Sequence, residues 1–488
     1  MKTLVLCVGL ALLTACASRT SPAAPDHYAT LAQYRAARER LIEQERALRL
    51  GAALALTPQD ESANRRLMAL KQAELERTRD TFPPARNFLL NSTKQLIATS
   101  PVLEVMRRMP KGAILHAHGS AMGDFRWLVS HATYLPNCYM YIGSNSQLVR
   151  GMLRVSDTPP GDGWRLVSEL RAAAPDVKAF DEEIYQSITL GEEDLDEAYI
   201  WDEFGNNFRR SGGLLANREV YREFWRRMLF SLIDENVQYL ESRTPPIDAA
   251  IVRDVQTRDP DFDVKFIPAA GRADGRERVK QGLQYVVEQR LKDPNRVKGF
   301  DLVQEEDRTN SNLFYVEDLL AARRDAERLG TTLPLYLHSG ESNWAENENL
   351  YDAVLLGVSR IGHGLALIKH PLLMDIVKAR GIAIEVCPIS NQVLGFVPDL
   401  RNHPAVYYIN AGLPVVLSPD DPGIMQHSLS YDFYTAFMAW GLDLRTLKQL
   451  AINSLVYSAM SPDEKRRALS AFERRWEVFI QWLARDVA

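Results

Sequence analysis

The sequence predicts an α/β protein centred on a closed (β/α)8 barrel of the TIM type, with an N-terminal helical extension and an insertion after the first strand. Three observations predict it. From residue 112 onward, short apolar runs alternate with amphipathic helical stretches, and strand–helix–strand alternation implies a parallel sheet. Eight such runs can be read, the number that closes a barrel rather than leaving a sheet open. Their polar residues gather at the C-terminal ends, where a barrel builds its active site: His116 and His118, Glu241, His338, His363, then Asp420 and Asp421.

In chain order, Lys2 and the apolar run 3–13 precede Leu13-Thr14-Ala15-Cys16, the layout of an export signal with a small-residue cleavage site. The run is too short to span a bilayer, which takes about 20 apolar residues. Residues 1–16 resemble a bacterial lipoprotein signal, whose Cys16 would become the lipidated first residue; an ordinary signal with a chance Cys is the plainer reading. Residues 17–26, rich in Ser, Pro and Ala, read as a tether. The expected location is beyond the inner membrane, lipid-anchored to the outer membrane or cell surface and facing the periplasm or exterior. Residues 27–100 read as a charged helical region, its two long helices separated by the capped turn Thr57-Pro-Gln-Asp-Glu61. Such helices need a surface to cover, either the body of the protein or a second copy. The barrel domain is expected over 101–488.

The strand-like runs are 112–118, 237–243, 264–270, 297–303, 333–339, 359–364, 381–388 and 413–419. The third is weakened by Pro268, awkward inside a central strand. The gap 119–236 is far longer than a strand-to-helix loop, so an inserted subdomain is expected at about 125–200, followed by a helix-rich stretch at 213–235.

Composition removes other classes. With 46% hydrophobic and 25% charged residues in 488, the chain is neither disordered nor fibrous. A net charge of −5 offers no basic face for nucleic acid. Of four cysteines, Cys7 would leave with the signal and Cys16 would carry lipid. Cys138 and Cys387 remain, too few for a disulfide framework, and a zinc site built on Cys is not expected.

The strand ends carry the chemistry. In a strand, residues i and i+2 face the same side, so His116 and His118 can face one ion. With His338 and Asp420 they supply three imidazoles and a carboxylate, a donor set suited to Zn²⁺; donor type alone leaves iron and manganese open. Glu341, three residues past His338, can serve as general acid or base, or only cap free N–H groups. His363, between glycines in Arg360-Ile-Gly-His-Gly364, reads as ligand, base or structural turn. Asp420 and Asp421 point differently, so one can hold metal and the other face substrate; a solvated turn is the plainer alternative.

These motifs, Ser418-Pro-Asp-Asp-Pro422 among them, look like those of the zinc adenosine deaminases of the metal-dependent amidohydrolase superfamily. More narrowly, the stretches 46–71, 109–118, 384–394, 399–406, 429–434 and 443–454 resemble the secreted adenosine deaminase-related growth factors. The resemblance implies one Zn²⁺ on His116, His118, His338 and Asp420. It implies Glu341 as the proton donor to purine N1, His363 as the group that orients and deprotonates the attacking water, and Asp421 at the N7 side. It also implies an aromatic near the substrate at Trp201, a homodimer through the N-terminal helices, and a purine nucleoside as substrate, adenosine or 2′-deoxyadenosine, yielding inosine or 2′-deoxyinosine and ammonia. Three substrate-side positions depart from the family pattern. Gly119 replaces the usual Asp at a ribose contact, Gln304 replaces a Gly that approaches the purine, and Pro268-Ala-Ala-Gly-Arg272 lacks the usual Asp-His. The insertion offers no second Cys for Cys138. These departures keep two alternatives open: another aminopurine or modified nucleoside as substrate, or a surface binding module with a vestigial site.

Overall fold

The computed structural model describes residues 27–195 and 200–485. Cys16, the signal and the tether lie outside the described residues. The chain divides into two compact units, Met1–Ala47 and Leu48–Ala488. In the first, the helix Leu31–Leu48 buries none of its side chains, and Leu31, Tyr34 and Leu41 stay exposed.

The division at 47/48 differs from the boundary expected near residue 100. The helix Pro58–Arg77 opens on a reciprocal capping box between Thr57 and Asp60, as the turn residues require. It then packs on the last helix, Pro462–Arg485. Asp60 accepts the Trp476 indole N–H at 3.1 Å, and Lys71 donates to the carbonyls of Phe437 and Leu442. The body of the protein is therefore the surface this second helix covers.

The barrel strands are β1 (Gly112–Ile114), β2 (Val237–Ser242), β3 (Asp263–Phe266, resumed at Ala269–Gly271), β4 (Asp301–Val303), β5 (His338–Ser339), β6 (Arg360–His363), β7 (Ala383–Val386) and β8 (Val415–Leu417). All eight fall on the runs read from sequence. Their ladders are parallel: β1–β2–β3 in one series, the second half of β3 with β4, and β5–β6–β7–β8 in another. Bridges Phe266–Val297 and Phe300–Leu335 join the series, and Ala117–Asp420 closes β8 onto β1. β3 breaks at Ile267-Pro268, because proline has no N–H to give the ladder.

After β1 come a short helix (Phe125–Ser130), a three-stranded antiparallel sheet (Cys138–Tyr141, Leu153–Val155, Trp164–Leu166) and the helices Val167–Ala173 and Val177–Ser187. The helices Ile200–Leu215 and Arg218–Asp234 then lead into β2. Cys138 is a buried free thiol. Among the described residues, no helix is long and apolar enough to cross a membrane.

Candidate metal centre

The barrel brings four of the predicted side chains together. Donor atoms of His116, His118, His338 and Asp420 all lie within 4.8 Å of one another. His116 Nδ1 is 2.7 Å from Glu385 Oε2 and His338 Nδ1 is 2.8 Å from Asp301 Oδ2. A carboxylate on Nδ1 fixes the tautomer that leaves Nε2 as a metal-binding lone pair. His116 Nε2 and His118 Nε2 then stand 3.4 and 3.2 Å from Asp420 Oδ1. His116 Nε2 and Asp420 Oδ1 are buried without a hydrogen-bond partner. Unpartnered lone pairs facing one another underground repel unless a cation lies between them, so these residues fit a metal ion. His118 is the one partly open ligand, its side chain 17% exposed; the opening to solvent lies on its side.

Burial, offset in part by Asp301, pushes His338 down to about 4, the neutral state a metal needs. Burial opposes the charge on Asp301, but His338 and Arg243 hold its carboxyl below the usual range. Two buried arginines support this layer. Arg243 reaches Asp301 through Nε at 3.2 Å, Glu385 through Nη2 at 2.6 Å and the carbonyl of Leu115. Arg360 pairs Glu385 at 2.5 Å and also Glu241. Glu241 therefore belongs to the charge layer with Arg360, not to the metal set: it also accepts from Tyr239 Oη and Ala459 N.

Two titratable groups stand beside the metal set, shifted in opposite directions by their surroundings. Glu341 is 3% exposed; burial, then Asp420 and Glu306, push its carboxyl well up. His363 is held well down by burial and then by His116. Its Nδ1 is 3.1 Å from Asn391 Nδ2 and 3.5 Å from Glu341 Oε1, while Nε2 has no partner. His363 and Asp420 both sit at positive φ, +60° and +63°, strained conformations for residues with a Cβ. Gly362 between strands permits the packing, since a Cβ there meets His338 Cα at 3.0 Å and His116 Cε1 at 3.1 Å. Asp421 is buried, its carboxyl pushed up by burial and by Asp420, with Oδ1 unpartnered.

The remaining predicted positions behave differently. Trp201 is half-buried, edge-on to Phe204 and Phe396. Gln304 is exposed at φ +86°, and its Oε1 accepts from Ala273 N at 2.8 Å. It therefore ties two loops. A Cβ on Gly119 would come within 2.3 Å of the Trp225 ring and 2.8 Å of Ser242 Oγ. A side chain at this position points into packed core, so a carboxylate there has no room to reach a ligand. Gly119→Asp should cost roughly 3 kcal/mol or more through overpacking and a buried charge; a denaturation midpoint equal to wild type would refute this. Cys387 Sγ lies near the donor atoms of His116, His363 and Asp420, but burial holds its thiol well up.

Sequence reasoning missed Asp301, Glu385, Arg243, Asn391, Glu306 and Ser390, whose hydroxyl donates to Asp420 Oδ2 at 2.8 Å. A signal existed for two of them: Asp301 and Glu385 are acids inside strand runs, the second in an otherwise apolar one.

A parallel barrel with a His-His-His-Asp centre at its strand ends defines an amidohydrolase-type enzyme. Comparison with known proteins makes this particular. The family described as "Adenosine deaminase" matches residues 201–474, more than half the chain, and "Adenosine/AMP deaminase N-terminal" matches 6–106. Adenosine deaminase 2 of Sus scrofa is 37% identical, covering 92% of this chain and 94% of its own length. The Homo sapiens protein of that name is 34% identical, covering 91% and 92%. An amidohydrolase from Burkholderia ambifaria, solved with bound Zn, shares the fold at TM-score 0.54 and 20% identity, over 80% of this chain and 96% of its own. An Arabidopsis thaliana N6-methyl-AMP deaminase does so at 0.54 and 18%, over 76% and 98%. The chain belongs to the adenosine deaminase family and is a hydrolase of its deaminating class.

Proposed function

We propose that this enzyme is a zinc-dependent deaminase of adenosine and 2′-deoxyadenosine, acting outside the cytoplasm. The observation that carries the reading is that Glu341 Oε1 and His363 Nδ1 stand 3.5 Å apart beside the four-donor set, in surroundings that push the carboxyl up and the imidazole down. Groups whose environments drive their protonation apart serve as acid and base at one pH. His116, His118, His338 and Asp420 would hold Zn²⁺, which supplies Lewis acidity and lowers the pKa of a bound water.

Glu341 gives its proton to purine N1, which makes C6 electrophilic. Water oxygen adds at C6 while a proton passes to the His363 imidazole. That proton is passed on to the exocyclic amine, the C6–N bond breaks and ammonia leaves, while the C6 hydroxyl proton restores the Glu341 acid; substrate plus water becomes inosine plus ammonia. Asp421, carrying an unpartnered oxygen, holds the N7 edge, and Trp201 covers the mouth.

A second reading keeps the chemistry and changes the substrate to another aminopurine or modified nucleoside. Gly119 favours it, because no ribose-binding carboxylate fits beside Trp225. A panel of nucleosides, followed by ammonia release, separates the two; adenosine turning over best rejects the second.

We also propose a homodimer through the N-terminal helix. Exposed Tyr34, Leu41 and Leu48 recur at heptad spacing. A chain lacking residues 27–47 should sediment as a monomer, and a dimer of unchanged stability would reject the assignment. The anchor proposed at Cys16 is tested by fractionation: Cys16→Ser should leave the membrane pellet.

A further inference from the structure

Glu306 stands on the loop after β4, buried and away from the metal donors. Its two oxygens accept three hydrogen bonds. Glu341 N gives one at 2.9 Å to Oε1; Gly340 N at 3.0 Å and Asn349 Nδ2 at 2.6 Å give two to Oε2. The turn bearing Glu341 is held elsewhere as well. Arg272 Nη2 donates to the His338 carbonyl at 2.5 Å, and Ala366 N donates to the Gly340 carbonyl at 2.8 Å. Asn312 bridges Ser339 and Asn349, closing the circuit back to Glu306. Among the described residues, only Glu306 grips the backbone N–H of Glu341 itself. The positive φ of Gln304, two residues earlier, swings the chain after β4, and the Ala273 bond holds that bend.

We infer that Glu306 is a positioning residue for deamination, which fixes the backbone of Glu341 so that its carboxyl stays aimed at the substrate. The inference rests on the role proposed for Glu341 and extends it to a residue that touches neither metal nor substrate. A carboxylate is required because three donors converge on it. Glutamine offers one acceptor oxygen and turns an amide N–H₂ toward groups that are themselves donors. Displacing a catalytic group by about 1 Å can cost about 10²-fold.

The test is Glu306→Gln in the full chain, alone and combined with Glu341→Gln, with metal content measured on every sample. The single variant should lower kcat about 10- to 100-fold, with KM and metal content unchanged. Hydrogen exchange should quicken at the Gly340 and Glu341 amides and not elsewhere in the barrel. In the Glu341→Gln background the same change should add little, since Glu306 acts through Glu341. Losses that multiply in the double variant, or exchange at 340–341 as slow as wild type, would overturn the inference. If Glu306→Gln does not fold, Glu306→Asp, one methylene shorter, carries the same readouts. A fully active Glu341→Gln single variant would instead defeat the role of Glu341, so the two failures are distinguishable.

Discussion

Glu341→Gln should lose about 10²- to 10⁴-fold in kcat while keeping its fold and its metal, the range in which a general acid contributes. The substitution is nearly isosteric, and the Oε1 it alters has no hydrogen-bond partner to lose. What disappears is the proton. Glu341 is buried and faces Asp420 and Glu306; burial and like charge both favour the neutral acid. The wild-type surroundings therefore favour the carboxylic acid over the carboxylate, and Gln presents a donor that cannot release its hydrogen. KM should change little, because a hydrogen bond to N1 remains available. A variant at wild-type rate, or one that has lost its metal, would contradict the assigned role.

Removing the metal should have the largest effect of all: chelation should abolish turnover and also lower the melting temperature. The two losses share a cause. Without a cation, three imidazoles crowd Asp420, and His116 Nε2 and Asp420 Oδ1 are left unpartnered inside the barrel. Binding to the folded state alone stabilises by about 4 kcal/mol when free metal is about 1,000 times its dissociation constant. Restoring Zn²⁺ should recover both rate and melting temperature. A chelated protein with unchanged melting temperature and full activity would show that the four donors hold no functional ion.

The support beneath the ligands explains why the site can survive such manipulation. Arg243 joins the two carboxylates, Asp301 and Glu385, that orient two of the metal histidines. Both relays thus meet at one guanidinium, with Arg360 holding Glu385 as well. A buried cation with two anions and a carbonyl to satisfy leaves few alternative packings, so the imidazoles keep their aim whether or not a ligand is present.

The fold was legible because barrel strands are short apolar runs, and their order along the chain is their order around the barrel. Even the defect was readable: Pro268 marks where β3 breaks. The metal donors were legible because strand periodicity puts His116 and His118 on one side, and because the ends of parallel strands meet. Long-range pairing was not legible. Glu241 ends an apolar run just as His338 does, but it is claimed by Arg360, 119 positions away. Likewise, the helix Pro58–Arg77 shows an amphipathic face in sequence, but nothing local says that Pro462–Arg485 covers it. Gly119 illustrates a third limit. Its missing side chain marked an absent substrate contact, but not that the Trp225 ring, from a helix beginning near residue 218, fills the space.

The most direct test of the central claim is ammonia release from adenosine and 2′-deoxyadenosine by the purified chain, with zinc measured on the same sample. The account predicts about one Zn²⁺ per chain, with release that stops on chelation and resumes when Zn²⁺ is returned. Zinc-loaded, folded protein releasing no ammonia from either nucleoside would contradict it.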